Sequence, residues 1–385
     1  MNKLPKHKGV IALIISIFFI SCGAQDVHYV TDEALTITKK VADWQIKTFA
    51  DMGKYRALPT ANRKRWHHRK RYKDVVWNCG ALYSGLIEFN RISKDSTYTN
   101  WLLDIGYRNG WRLDDHKTVF NADNHTVGLA YIELYKERKD DKILEPLLKA
   151  FDTIIATSEE NRLYWTWADA LFMSPPVWAS LYNLTGEIKY LEYMDKQYKM
   201  AYERLWNPKD QLFYRDNGKK KLREKNGANE YWARGNGWVY GGLTYMLPNL
   251  PKDWEGTPFY IQLFKEMSEA LKRTQRTDGT WSMGIMGLES DYPTKEISGA
   301  NFFVFGLARG VNMGILDKAT YDPVIRKGWK ALTACVRDDG LVGYVQGVGA
   351  APGEAFPNYT EVYGTGGFLA AGSEMYKYLK NSTKN

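Results

Sequence analysis

A long-period recurrence leaves few folds open to this chain. Gly80-Ala81-Leu82, Val127-Gly128-Leu129, Pro175-Pro176-Val177, Gly237-Trp238-Val239, Ser298-Gly299-Ala300 and Gly364-Thr365-Gly366 each open an apolar run with helical spacing. These starts stand roughly 48 to 65 residues apart, about the length of two helices and two loops. After most of them a more polar, charged helix follows, as Asp140 to Thr157 follows the Gly128 run. Apolar helices alternating with amphipathic ones describe an inner and an outer layer. Six such hairpins close on themselves, so the pattern predicts an all-α (α/α)6 toroid. Alternating strand patterns are few, and nothing in the middle of the chain looks like a domain linker.

The N-terminus reads as a processing segment. Lys3, Lys6 and Lys8 precede an apolar run, Val10 to Ile20, too short to span a bilayer comfortably. It ends in Phe19-Ile20-Ser21-Cys22, which resembles a bacterial lipobox. Residues 1–21 are therefore expected to be a lipoprotein signal peptide, cut before a lipidated Cys22. An ordinary secretory peptide with an incidental cysteine is the alternative. Either way the expected protein is exported, to the periplasm or the cell surface. With lipid it is anchored to a membrane rather than spanning it. Residues 22–385 are expected to form a single catalytic domain. Beyond Cys22 only Cys79 and Cys335 remain there, so no disulfide framework holds it. Its core must do so, and a 44% hydrophobic composition with 14 Trp supplies one. The net charge of +9 includes the run Arg63 to Arg71. That suits nucleic acid, anionic lipid or an acidic polysaccharide; no nucleic-acid motif accompanies the run, and a solvated loop explains it about as well as a substrate contact does. The oligomeric state is open.

Chemistry concentrates in four segments. In Trp165-Thr166-Trp167-Ala168-Asp169-Ala170-Leu171-Phe172 one carboxylate sits in an aromatic, apolar stretch. Desolvation there raises its pKa, which suits a proton donor, and an indole such as Trp167 offers a sugar a flat face. The alternative is that Asp169 caps the helix running on from Pro175. Asp123 and His125, in Asn121 to Gly128, either line a site or cap the following helix. In Tyr231 to Trp238, Arg234 is bracketed by Trp232 and Trp238, with Asn236 between. A guanidinium fork binds a carboxylate through two parallel hydrogen bonds, and the indoles can stack on a pyranose. Tyr359 to Gly367 is a polar, glycine-rich loop that either closes a rim or packs tightly. In a toroid the inner-helix N-termini share one end, so Asp123, Asp169, Arg234 and Trp238 should converge on one funnel. Six His without paired helical spacing give no metal pattern. No phosphate-cradling glycine motif or Gly-x-Ser-x-Gly elbow appears, and no cofactor is implied.

These motifs together resemble glycoside hydrolase family 105, the unsaturated rhamnogalacturonyl hydrolases, and more distantly family 88. The carriers are Asp123 ahead of Gly128, the Trp167 to Met173 segment with its two prolines, and Trp232-Ala233-Arg234-Gly235-Asn236-Gly237-Trp238. Ser298-Gly299-Ala300 with Gly310-Val311-Asn312, and Tyr363 to Gly366, add to them. The resemblance implies an (α/α)6 enzyme that removes the 4,5-unsaturated uronic acid a lyase leaves at a non-reducing end. An acid protonates C4 of the vinyl ether, water adds at C5, and the hemiketal falls apart. It further implies Asp169 as acid and then base, assisted by Asp123. Trp232, Arg234 and Trp238 would hold the uronate, with Trp167, Asn236 and His125 in the same site. Some members carry a histidine in the segment matching Leu212 to Arg215. Here Arg215 stands in it and becomes a candidate substrate contact. Fragments of rhamnogalacturonan and of ulvan both qualify as substrate. The rival readings are a non-catalytic glycan-binding lipoprotein and another toroid sugar enzyme. An epimerase of that shape would need paired funnel histidines, which this sequence does not offer.

Overall fold

The computed structural model describes residues 31–56 and 72–382. The 1–21 segment, Cys22 and the basic run Arg63 to Arg71 lie outside the described residues. Helix α1 covers residues 31–48. It is followed by α2 (Trp77–Ser93), α3 (Ser96–Arg108), α4 (Gly128–Arg138), α5 (Asp141–Thr157), α6 (Pro175–Thr185) and α7 (Lys189–Leu205). A short antiparallel hairpin, β1 (Trp206–Asn207) and β2 (Leu212–Phe213), leads to α8 (Ala233–Met246). The chain ends with α9 (Thr257–Thr274), α10 (Ser298–Asn312), α11 (Lys318–Thr333) and α12 (Val362–Ser382).

Packing sorts these helices into two layers. Helix α2 touches α4, α4 touches α6, α6 touches α8, α8 touches α10, α10 touches α12, and α12 returns to α2. This is the closed inner ring of an (α/α)6 toroid. Each outer helix leans on the inner helix before it: α3 on α2, α5 on α4, α7 on α6, α9 on α8 and α11 on α10. Helix α1 covers α12, where Thr38 fills the space over Gly372. The layers differ as their sequences do. Every residue of α8 is buried. Helix α5 instead buries one stripe, Ile143, Leu147, Phe151 and Ile154, at helical spacing. Burying such a side chain contributes about 1.5–3 kcal/mol.

The recurrent small residues have a packing cause. A Cβ on Gly85 of α2 would run into the carbonyl of Gly366 on α12, and one on Gly366 into that of Ala81. Glycine lets the first and last inner helices approach backbone to backbone, which closes the ring. Near the far end of the same helices, buried Arg309 donates to Glu88 and Glu374, at 2.8 Å to the latter. This ion cluster ties α2, α10 and α12 together, and nothing in the recurrence announces it. The cations around Glu88 hold its carboxyl far below the ordinary range despite complete burial. Cys79 and Cys335 are buried free thiols.

Side-chain caps open three of the outer helices. Asp95, Asp140 and Asp317 each accept a backbone N–H at the start of an outer helix. The residues before α2, α4, α6 and α8 make no side-chain cap. Their free N–H groups and positive helix ends share the end of the ring where the candidate residues gather.

Candidate active site

Two short turns present the carboxylates. Asp123 sits in a 3-10 turn, Ala122–His125, just before α4. Asp169 precedes a single helical turn, Ala170–Met173, just before α6. The turns are bound to each other: Thr126 Oγ1 lies 3.3 Å from Met173 Sδ, and His125 Nδ1 lies 2.7 Å from Ser174 Oγ. Neither Asp caps a helix through its side chain, since Val127 precedes α4 and Ser174 precedes α6. The capping alternatives are therefore not realised, and both carboxyls are left to other work.

Asp169 is 8% exposed, and Arg215 Nε donates to its Oδ2 at 3.1 Å. Burial raises its pKa, while the positive charges of Arg215 and Arg234 pull it back. Asp123 is half-buried, and its carboxyl is pushed up to about 7 by burial and then by the charge of Asp169. Arg215 is delivered by backbone pairing: Ala168 N donates to its carbonyl at 2.8 Å, and Trp167 bridges to Asp216. Its Nη1 also donates to Asp216 Oδ2 at 2.9 Å. Trp167 is half-buried beside this pairing, whereas Trp165 is sealed against Tyr193.

The other candidates stand behind this surface. Arg234 is 1% exposed and lies between the rings of Trp232 and Tyr363, 4.4 and 5.0 Å from their centroids. Its Nη1 and Nη2 donate to the carbonyls of Gln346 and Gly347 at 2.6 and 2.8 Å. The fork expected to grip a substrate carboxylate is engaged with main chain here. Trp232 is buried and donates from Nε1 to Gln346 Oε1. Trp238 is wholly buried among Phe172, Phe302, Trp77 and Tyr363. Asn236 clamps β2 to α8, accepting from Phe213 N and donating to the Phe213 and Trp232 carbonyls. His125 Nε2 meets the Val119 carbonyl at 2.8 Å, which can only accept, so that nitrogen carries the proton. Its Nδ1 then accepts from Ser174, whose hydroxyl oxygen accepts from Trp178 Nε1. Burial pushes His125 down to about 4, so it is a neutral brace for the Asp123 turn.

The site also holds residues that sequence reasoning passed over. Trp77 is half-buried and stacks on Tyr363 with centroids 5.4 Å apart. Its only signal was its place just ahead of the Gly80 start. Gln346 organises Trp232 and Arg234 from a glycine-rich loop without periodicity. Glu361, in the segment suspected of closing the rim, is fully buried instead. It accepts from Arg56 Nε at 3.2 Å and from the Tyr72 hydroxyl.

The profile of Glycosyl Hydrolase Family 88 matches residues 37–379, and the chain belongs to that family. It is a glycosidase on an (α/α)6 scaffold. The unsaturated 3S-rhamnoglycuronyl hydrolase of Formosa agariphila is 36% identical over 320 residues, covering 78% of this chain and 84% of that protein. A solved family 88 hydrolase from Bacteroides vulgatus superposes with a TM-score of 0.78 at 25% identity, covering 90% of this chain and 99% of that one. A possible family 105 member from Salmonella enterica shares the fold, with a TM-score of 0.71 at 18% identity over 91% and 95% of the two chains.

Proposed function

We propose that the protein removes the 4,5-unsaturated uronic acid from the non-reducing end of acidic oligosaccharides produced by a polysaccharide lyase. The observation that carries this reading is the Asp123–Asp169 pair: two neighbouring carboxyls raised by burial, with Arg215 donating to Asp169 and the charge of Lys117 felt at Asp123. Vinyl-ether hydration needs one proton delivered to C4 and one taken from water as its oxygen bonds to C5. A pair holding a single proton near neutrality can do both. The hemiketal at C5 then opens, and the glycosidic bond breaks without a covalent sugar–enzyme intermediate. Asp123 and Asp169 are the catalytic residues in this scheme. Arg215 and Trp167 face the sugar, backed by Arg234, Trp232, Trp238, Asn236 and His125.

Sulfated rhamnose–glucuronate fragments of the ulvan type are the proposed substrate class. The name of the Formosa relative supports this choice over pectin fragments. A cleft of about 550 Å³ is lined by Tyr72, by Lys73 and Arg112, and by the carboxylates Asp74, Asp114 and Asp115. The charge of Asp114 is felt at Asp123, so this cleft adjoins the pair. Export as a lipoprotein through Cys22, with the membrane reached by lipid alone, belongs to the same reading, because secreted lyases release such fragments outside the cell.

The test is the ultraviolet absorbance of the conjugated enoate in lyase digests of ulvan and of pectin. The expected result is loss of absorbance, faster on the ulvan digest. Asp123→Asn and Asp169→Asn should fold normally and each lose about 10²–10⁴-fold in rate. Stable absorbance on every unsaturated digest would overturn the reading, and binding without consumption would point to a glycan-binding role.

A further inference from the structure

Between Arg215 and Trp232 the chain leaves the site and returns to it, and both feet of this excursion are pinned there. Trp167 bridges to Asp216 at one foot, and Trp232 bridges to Gly284 at the other. Asp216 Oδ2 accepts from Arg215 Nη1 and its Oδ1 from Gly218 N, each at 2.9 Å. The carboxylate that steadies Arg215 therefore also opens a 3-10 helix, Asn217–Lys221. Beyond it the chain folds into a tight hairpin. Arg223 pairs with Asn229, Gly227 makes the turn at φ 83°, and Asn226 Nδ2 donates to the Met286 carbonyl at 2.8 Å. The lobe is thus held on two sides, and chain length alone keeps the Lys219 Cα within about 14 Å of the Arg215 Cα.

This lobe carries uncompensated positive charge. Lys219, Lys220 and Lys221 have no acidic partner among the described residues. Arg223 donates only to the carbonyls of Lys220 and Leu222. The acids nearby are already committed: Asp216 to Arg215, Asp291 to Lys225, and buried Glu224 to the Tyr292 hydroxyl. Half-buried Glu230 is left to oppose the cations. A lysine run is ordinarily a solvated face. Here it is fixed at the edge of the site, where like charges repel one another until an anion arrives. The cleft beside Asp123 is different, because Asp74, Asp114 and Asp115 balance its Lys73 and Arg112.

We propose that Lys219, Lys220, Lys221 and Arg223 form a subsite for sulfate esters on the sugars beyond the reacting uronate, and so set a preference for sulfated over unsulfated chains. A planar carboxylate is matched by a guanidinium fork, whereas a tetrahedral anion with several equivalent oxygens is well served by point charges such as ammonium groups. Three lysines in a row offer that second kind of recognition. The proposal rests on the unsaturated-uronyl reading, since it concerns the remainder of that substrate.

The test compares turnover of a lyase digest of ulvan with turnover of the same digest after chemical desulfation. The readout is the ratio of the two kcat/KM values. Exposed ion pairs are individually weak, so the triple variant Lys219→Gln, Lys220→Gln, Lys221→Gln should lower that ratio about tenfold, through KM on the sulfated digest. Added salt should lower the wild-type ratio in the same direction. Arginine at the three positions should keep the wild-type ratio. Lys142, Lys149 and Lys196 are exposed on the outer helices α5 and α7, and changing all three to Gln removes equal charge far along the chain from the lobe. That control should leave the ratio as in wild type. An equal fall in the control would mean attraction by net charge rather than a subsite, and would overturn the proposal. So would a lobe variant that weakened on both digests alike, because the lobe would then not distinguish sulfate. An active wild type whose ratio the lobe variant leaves unmoved sinks the subsite alone. Wild type inert on every unsaturated digest would sink the unsaturated-uronyl reading and the subsite with it.

Discussion

His125 shows how one residue type can mislead and inform at once. From the sequence it was a candidate either for the site or for capping the helix that follows. In the structure it touches Ser174 and Val119 and braces the turn that carries Asp123. Its pKa falls from 6.5 to about 4 on burial. The group is therefore depressed in the folded state, and its contribution is present above pH 6.5 and lost as pH falls toward 4. The shift is worth about 3 kcal/mol between those limits. Urea denaturation across that range should show stability falling more steeply for wild type than for His125→Gln, and equal slopes would refute the neutral-brace role. Asp169 and Arg215 were legible because charge in an apolar stretch, or at an unusual place in a motif, is a local signal. The engagement of Arg234 was not, since its partners are carbonyls of Gln346 and Gly347, far along the chain and anonymous in any sequence.

Among the elements, the six inner helices were readable because their glycines and prolines serve close packing at the ring's centre. The segments suspected to start them fall within a few residues of the observed starts, as Gly128 and Ser298 show. What stayed hidden is the buried cluster joining three of them. Glu88, Arg309 and Glu374 lie on helices far apart in sequence, and each alone reads as an ordinary charge late in a helix. Removing Arg309 strands two buried carboxylates, with Arg91, Lys377 and the Asn312 amide left to them. Arg309→Met should cost about 3–5 kcal/mol in urea unfolding, because an unpaired buried charge costs more than the pair contributes. A loss below about 1 kcal/mol would mean that Arg91, Lys377 and Asn312 suffice.

For the whole molecule, the period of the recurrence was enough to foresee a closed toroid, because few architectures repeat a helical hairpin six times. Closure itself is a contact between α2 and α12, made where Gly85 meets Gly366, and no covalent bond enforces it. Thr38 of α1 lies against Gly372 of α12 and Arg56 bridges to Thr360, so the two segments run antiparallel, with residues 31 and 382 at the same end, away from the site. Such a molecule has no obligatory first hairpin. A circular permutant joining 382 to 31 through a short linker, and opened at exposed Gly186 between α6 and α7, should fold and retain turnover. The order in which the six hairpins are synthesised would then be an accident of gene arrangement rather than a requirement of the architecture.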